Sequence, residues 1–225
     1  MISSKNFAIV ASTSGSVVSR VLVQDPGFRA QTKLIVTDRA CGVEGIANRY
    51  DIPCHRINEP YPLAFGNKLL ETLELHAIDY AFTFFSRLIQ GYILEKFKYR
   101  LINIHPSLLP AFPGMGAFEK AWASNTLFTG STTHFIDQGI DTGAIIQQSV
   151  VRIDRYHQTK DAIRHELFLQ QCASLSQVAH WLSEERIRFT ENNGIEVLGS
   201  KCSDACPFMP ALEHDIPLRL LASKT

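Results

Sequence analysis

Phe7-Ala-Ile-Val-Ala11 runs straight into Ser12-Thr-Ser-Gly-Ser16, and then into Val17, Val18, Val21 and Leu22. A short unbroken apolar run reads as a buried strand, and the small polar residues after it as a turn. The apolar spacing that follows is that of a helix. The unit recurs. Leu34-Ile-Val-Thr37 is a second strand and Glu44 to Tyr50 a short helix. Lys68 to His76 is helical, with Leu69, Leu70, Leu73 and Leu75 apolar. Asp79-Tyr-Ala-Phe-Thr-Phe-Phe85 is a strand buried on both faces, and Arg100-Leu-Ile-Asn-Ile-His105 is another, stopped by Pro106. Alternating strand and helix implies an α/β fold: a Rossmann-like, mostly parallel twisted sheet with helices on both faces and right-handed crossovers. Ligands of such sheets bind beyond the carboxyl ends of the strands. A site is therefore expected at Ser12 to Ser16, after Phe85, and at His105 to Gly114.

Further along, Ala117 to Ser124 reads as a helix, and Gly130 to Asp137 and Ala144 to Ile153 as strands, with a switch to antiparallel pairing around residues 128–153. Lys160 to Glu185 is the longest helical pattern. Pro53 to Pro62 reads as irregular, as does everything from Gly194 on, where Pro207, Pro210 and Pro217 forbid a long helix. Residues 1–190 are expected to form the catalytic domain. Residues 191–225 are expected to be a tail that covers the site or makes a homodimer contact.

The 225 residues carry 22 Lys plus Arg against 22 Asp plus Glu, so the basic excess of a nucleic-acid binder is missing. No apolar run is long enough to span a membrane, and Met1 to Phe7 lacks a signal-peptide core, so a cytoplasmic protein is expected. Cys41, Cys54, Cys172, Cys202 and Cys206 are too scattered for a disulfide framework. Cys202 and Cys206 with His214 downstream are a weak metal signal, and no metal is expected.

The sharpest chemical feature is Asn103-Ile-His-Pro-Ser-Leu-Leu-Pro110. Side chains alternate along a strand, so Asn103 and His105 share one face while Ile102 and Ile104 enter the core. Burying two polar groups at a strand end is costly without partners. They either cap the following loop or serve a site. Asp141, between Gly139 and Gly143, is either an ordinary turn Asp or a presented carboxylate. Together, Asn, His and Asp are an inventory for proton transfer at an acyl centre. A carboxylate raises an imidazole pKa and fixes its tautomer, and an amide N–H holds an oxyanion. Ser107 apart, no nucleophile accompanies them, which favours direct transfer over an acyl-enzyme.

In order, Asn103-Ile-His-Pro-Ser-Leu-Leu-Pro110, Phe112-Pro-Gly114, Gly130-Ser-Thr-Thr-His-Phe135 and Asp141-Thr-Gly143 resemble the folate-dependent formyltransferase family, most of all its branch acting on glycinamide ribonucleotide. The resemblance runs from about residue 7 to residue 185. It implies transfer of the formyl group of 10-formyltetrahydrofolate, as co-substrate, to a primary amine of a small molecule, with Asn103, His105 and Asp141 as the catalytic trio. It implies folate contacts from Arg87, Leu88 and Ile89 in Ser86-Arg-Leu-Ile89, and from Gly139 and Ile140. Ser14, Gly15, Ser16 and Gln171 are the implied amine-side contacts.

The departures from that family fall mainly on the amine side. One glycine of its phosphate-binding loop is Thr13 here and its Asn is Val17, although Ser14, Gly15 and Ser16 can still hold an anion at a helix N-terminus; otherwise Ser16 is simply the helix N-cap. Gln171 stands where the family has a ribose-binding Glu. A folate-binding Arg expected within residues 61–65 is missing, and Phe84 replaces a small residue. The acceptor is thus glycinamide ribonucleotide or another small amine, such as an amino-sugar nucleotide or hydroxyornithine. Transfer-RNA would need phosphate neutralisation that a chain of zero net charge lacks. Hydrolysis of the donor is the lesser alternative, since deformylases of this family carry a preceding regulatory domain and this chain begins at its first strand.

Overall fold

The computed structural model describes residues 5–191, 194–202 and 207–213. Its centre is an eight-stranded sheet of order β10-β7-β6-β5-β4-β1-β2-β3. The strands are β1 (Phe7–Ala11), β2 (Thr32–Thr37), β3 (Cys54–Arg56), β4 (Tyr80–Phe84), β5 (Leu101–His105), β6 (Phe128–Phe135), β7 (Ile145–Arg152) and β10 (Phe208–Met209). Strands β3, β2, β1, β4 and β5 are parallel, and β6, β7 and β10 continue the sheet antiparallel. The switch falls between β5 and β6, inside the expected interval. A separate hairpin pairs β8 (Ile187–Phe189) with β9 (Ile195–Val197).

Strand β1 shows why the sheet needs helices on both faces. Phe7, Ile9 and Ala11 point into one apolar layer, Ala8 and Val10 into the other. The first layer is closed by α1 (Ser16–Gln24), α2 (Pro26–Gln31), α3 (Gly42–Arg49) and α7 (Lys160–Ser183), with Trp181 fully buried. The second is closed by α4 (Pro62–Leu75) and α5 (Ile93–Lys96), through Phe65, Leu69 and Ile93. Helix α6 (Ala117–Ala123) places Phe118 in a smaller cluster with Val151 and Leu167.

The structure adds elements that the pattern concealed. Helix α4 starts at Pro62 rather than Lys68, because a proline in the first turn has its φ already set for the helix. The supposedly irregular stretch before it contains β3, an edge strand that gains order only by pairing with β2. The tail is not irregular throughout: β9 and β10 lie in it. Ser16 does not cap α1. Gly15, in the left-handed region at φ 71°, holds the cap position without a side-chain bond. Of the weak metal signal, Cys206 and His214 lie outside the described residues, and Cys202 is exposed. Among the described residues no group of three or more His, Cys, Asp or Glu could hold a metal ion. No described helix is long and apolar enough to cross a membrane.

Candidate active site

Sheet register assembles the site. Thr83 of β4 lies opposite Asn103 of β5, and Asn103 lies opposite His134 of β6, forming one polar row across three strands. His105 ends β5 on the same face as Asn103, while Ile102 and Ile104 enter the core as expected. Asp141 comes from the loop between β6 and β7, with φ at 54°. Gly143 makes that loop possible, since a Cβ there would stand 1.8 Å from the Phe135 carbonyl oxygen.

The carboxylate is the hub. Its Oδ2 lies 3.3 Å from His105 Nδ1 and accepts from the Gly114 N–H at 2.7 Å. Its Oδ1 lies 3.6 Å from His134 Nε2 and 3.4 Å from Asn103 Nδ2. The expected trio therefore converges. His134, which the sequence offered only as part of a longer motif, joins it. His105 Nε2 lies 2.9 Å from the Phe112 carbonyl oxygen and His134 Nδ1 2.9 Å from that of Phe135. A carbonyl oxygen only accepts, so each of these nitrogens carries a proton.

His134 beside Asp141 is the largest reason that its carboxyl is held at about 2; the Gly114 amide and His105 act in the same direction, against burial. His105 is different from expectation. Burial pushes its pKa below the ordinary histidine value, and the Phe112 carbonyl and Asp141 only partly restore it. The neighbouring carboxylate does pull upward, as the sequence suggested, but desolvation of a 5% exposed ring outweighs it. The site thus presents an ionised carboxylate beside an imidazole biased toward its neutral form.

A cleft of about 1040 Å³ opens over this cluster, lined by Asn103, His105, His134 and Asp141. Leu88, Ile89, Gly139 and Ile140, expected as folate contacts, line it, with Tyr92 and Ile136 adding apolar surface. Its size and mixed lining suit a small organic ligand. Arg87 lines it too, but its guanidinium is engaged elsewhere. It donates to the Glu59 and Pro60 carbonyls at 2.8 and 2.7 Å, lies 3.3 Å from Asp38 Oδ2 and stands over the Phe65 ring. Gln171, expected on the amine side, lines the cleft, as do Thr13 and Phe84. Ser14, Gly15 and Ser16 are not among its lining residues; both serines are exposed, and the Gly15 N–H donates to Thr13 Oγ1 at 3.3 Å. None of the described tail residues lines the cleft.

An amide, an imidazole and a carboxylate gathered beneath a cleft at a strand-end switch point make an acid–base site of the kind enzymes of acyl chemistry use. Residues 5–178 match the Formyl transferase family. The chain is 34% identical over 171 residues to phosphoribosylglycinamide formyltransferase of Bacillus subtilis (strain 168), covering 72% of this chain and 87% of that one. Glycinamide ribonucleotide transformylase 1 from Symbiobacterium toebii superposes with a TM-score of 0.79 at 27% identity, over 86% of this chain and 94% of that chain. A formyltetrahydrofolate deformylase from Pseudomonas syringae pv. tomato shares the fold, with a TM-score of 0.75 at 17% identity, over 86% of this chain and 66% of that one. The chain belongs to the formyl transferase family. It is a folate-dependent formyltransferase, with 10-formyltetrahydrofolate as the formyl donor.

Proposed function

We propose that the Asn103, His105 and Asp141 cluster transfers the formyl group directly to a primary amine of a small molecule, and that glycinamide ribonucleotide is the first acceptor to test. The observation that carries this reading is the convergence of Asn103 and His105 on Asp141, at 3.4 and 3.3 Å, beneath a cleft of about 1040 Å³. The acceptor is supported by the activity named for the Bacillus relative.

In this reading the amine attacks the formyl carbon, and Asn103 Nδ2–H holds the oxygen as it gains charge, joined by the His105 ring once its Nε2–H turns from the Phe112 carbonyl. The Asn103 bonds to Asp141 and His134 are long, at 3.4 and 3.3 Å, so its N–H groups can turn to a better acceptor. Asp141 orients His105 and stabilises positive charge on it while the proton moves from the amine toward the folate nitrogen. Leu88, Ile89, Gly139 and Ile140 would seat the pterin. Arg87 would contribute main chain there, with its guanidinium spent on the neighbouring loop.

A second reading, transfer to a different small amine, rests on the amine side of the cleft. Val17 is buried, Gln171 is neutral and one loop amide is already bonded to Thr13. Purified protein, 10-formyltetrahydrofolate and a panel of amines decide between them. Tetrahydrofolate release that depends on glycinamide ribonucleotide supports the first reading; dependence on another amine supports the second. Release at the same rate without amine would show hydrolysis instead.

A further inference from the structure

Resting on the formyl-transfer reading, we infer that Thr83 is a positioning residue that fixes the Asn103 carboxamide with its N–H groups toward the reacting carbon. A carboxamide offers oxygen on one edge and nitrogen on the other, and a half-turn exchanges them. Only one edge can donate to a developing oxyanion, so the turn state of Asn103 decides whether it can act at all.

Two neighbours, Asp141 on one edge and Thr83 on the other, settle that state. His134 Nε2 lies 3.3 Å and Asp141 Oδ1 3.4 Å from Asn103 Nδ2. Asp141 Oδ1 is a carboxylate oxygen and only accepts. The side facing Asp141 is thus an acceptor surface that only the amide nitrogen matches. On the opposite edge Thr83 Oγ1 donates to Asn103 Oδ1 at 3.1 Å. Thr83 is 2% exposed, so water does not readily replace that hydroxyl. It has a further effect: a carbonyl oxygen that accepts a hydrogen bond makes the N–H groups of the same amide stronger donors. The register that sets Thr83 directly against Asn103 puts the hydroxyl there without any rearrangement.

The variants are Thr83→Val, which keeps the branched shape suited to a strand but deletes the hydroxyl, and Thr83→Ser, which keeps it. Loss of one neutral hydrogen bond predicts a fall in kcat of about fivefold to tenfold for Thr83→Val, with KM for the donor within about twofold. Thr83→Ser should recover most of the rate. In an Asn103→Ala background Thr83→Val should change nothing further. The side-chain amide resonances of Asn103, assigned in labelled protein without substrates, should shift in Thr83→Val and return toward wild type in Thr83→Ser. Unchanged kcat and unchanged amide resonances in Thr83→Val would overturn the inference, as would an equal loss in Thr83→Ser or a full further loss on top of Asn103→Ala. Wild-type protein inactive with every amine and with water would instead sink the formyl-transfer reading. The amide resonances would then still decide whether Thr83 holds Asn103.

Discussion

Asp141 and His105 are perturbed in the same direction for different reasons, and the consequences differ in sign. The Asp141 carboxyl sits at about 2 in the folded chain, chiefly because of His134, against about 3.9 for a free aspartate. A depressed carboxyl contributes stability that is complete above the unfolded value and is lost as pH falls through the folded one. Here that is on the order of 2 kcal/mol, lost between about pH 4 and pH 2. His105 is depressed by burial, so its charged form is disfavoured in the folded state. Its ring resonances should titrate with a midpoint below about 6.5, and in Asp141→Asn lower still, because the carboxylate is one of the groups pulling upward. A midpoint above that value in wild type would mean that the carboxylate, not burial, sets this ring. His105→Ala and Asp141→Ala should each lower turnover at least about a hundredfold with folding retained. Near-normal turnover in either would reassign the chemistry. At this scale Asn103 and His105 were legible because strand alternation puts residues two apart on one face, and Asp141 because glycines flank it. Thr83 and His134 were hidden. Each is an unremarkable strand residue until strand order and register lay it against Asn103, and register is a property of pairs of strands.

Strands and helices place these groups through a few close approaches. Gly143 lets the β6–β7 connection fold back so that Asp141 meets His105 from a loop rather than from the sheet. A methyl group at Gly143 would collide with the Phe135 backbone at 1.8 Å, and backbone cannot turn aside as a side-chain tip can. Gly143→Ala should therefore cost at least about 2 kcal/mol, the range of a strained core substitution, which is roughly 4 °C or more in Tm for a chain of this size. Because the same movement displaces the carboxylate, kcat should fall further than the loss of folded protein explains. Wild-type kcat in the folded fraction would show that the loop reaches its place by another route. The elements read correctly from sequence were the uninterrupted apolar runs β1, β2, β4 and β5, the strands β6 and β7, the helices α1, α3 and α6, and the long helix α7. Those missed were β3, α2, α5, β8, β9 and β10, pieces of two to six residues whose order comes from neighbours. Ser16 looked like a cap from composition. The cap is Gly15, because the chain turns there through a conformation at φ 71° that a serine adopts poorly.

Seen across the whole molecule, the described end of the tail lies against the sheet edge and α7, away from the cleft. Phe208 of β10 is 1% exposed and pairs with Ser149 of β7. Gln147 Nε2 donates to the Pro210 carbonyl at 2.9 Å, and the Glu213 N–H donates to Gln177 Oε1 at 2.8 Å. The Glu213 carboxylate accepts from Arg186 at 2.6 and 2.9 Å and from Trp181 Nε1 at 3.0 Å. Arg186 is the main reason that its carboxyl lies below the usual glutamate range. The family match ends at residue 178, within α7, so Trp181, Arg186 and Glu213 all lie beyond it. We expect them to act as a structural clasp on the catalytic domain. Glu213→Ala leaves the indole N–H of fully buried Trp181 without its acceptor and takes from Arg186 its two Glu213 bonds, leaving the Glu184 carboxylate and the Leu198 carbonyl. The cost is about 2 kcal/mol, or roughly 4–8 °C in Tm at pH 7, with kcat at 25 °C close to wild type. A depressed carboxyl contributes above its unfolded pKa, near 4.3, and stops contributing as pH falls through the folded value. The Tm gap between wild type and variant should therefore narrow below about pH 4. A gap that persists undiminished in acid would assign the loss to packing rather than to the ion pair. A fall in kcat with Tm unchanged would show that the tail acts on the cleft after all.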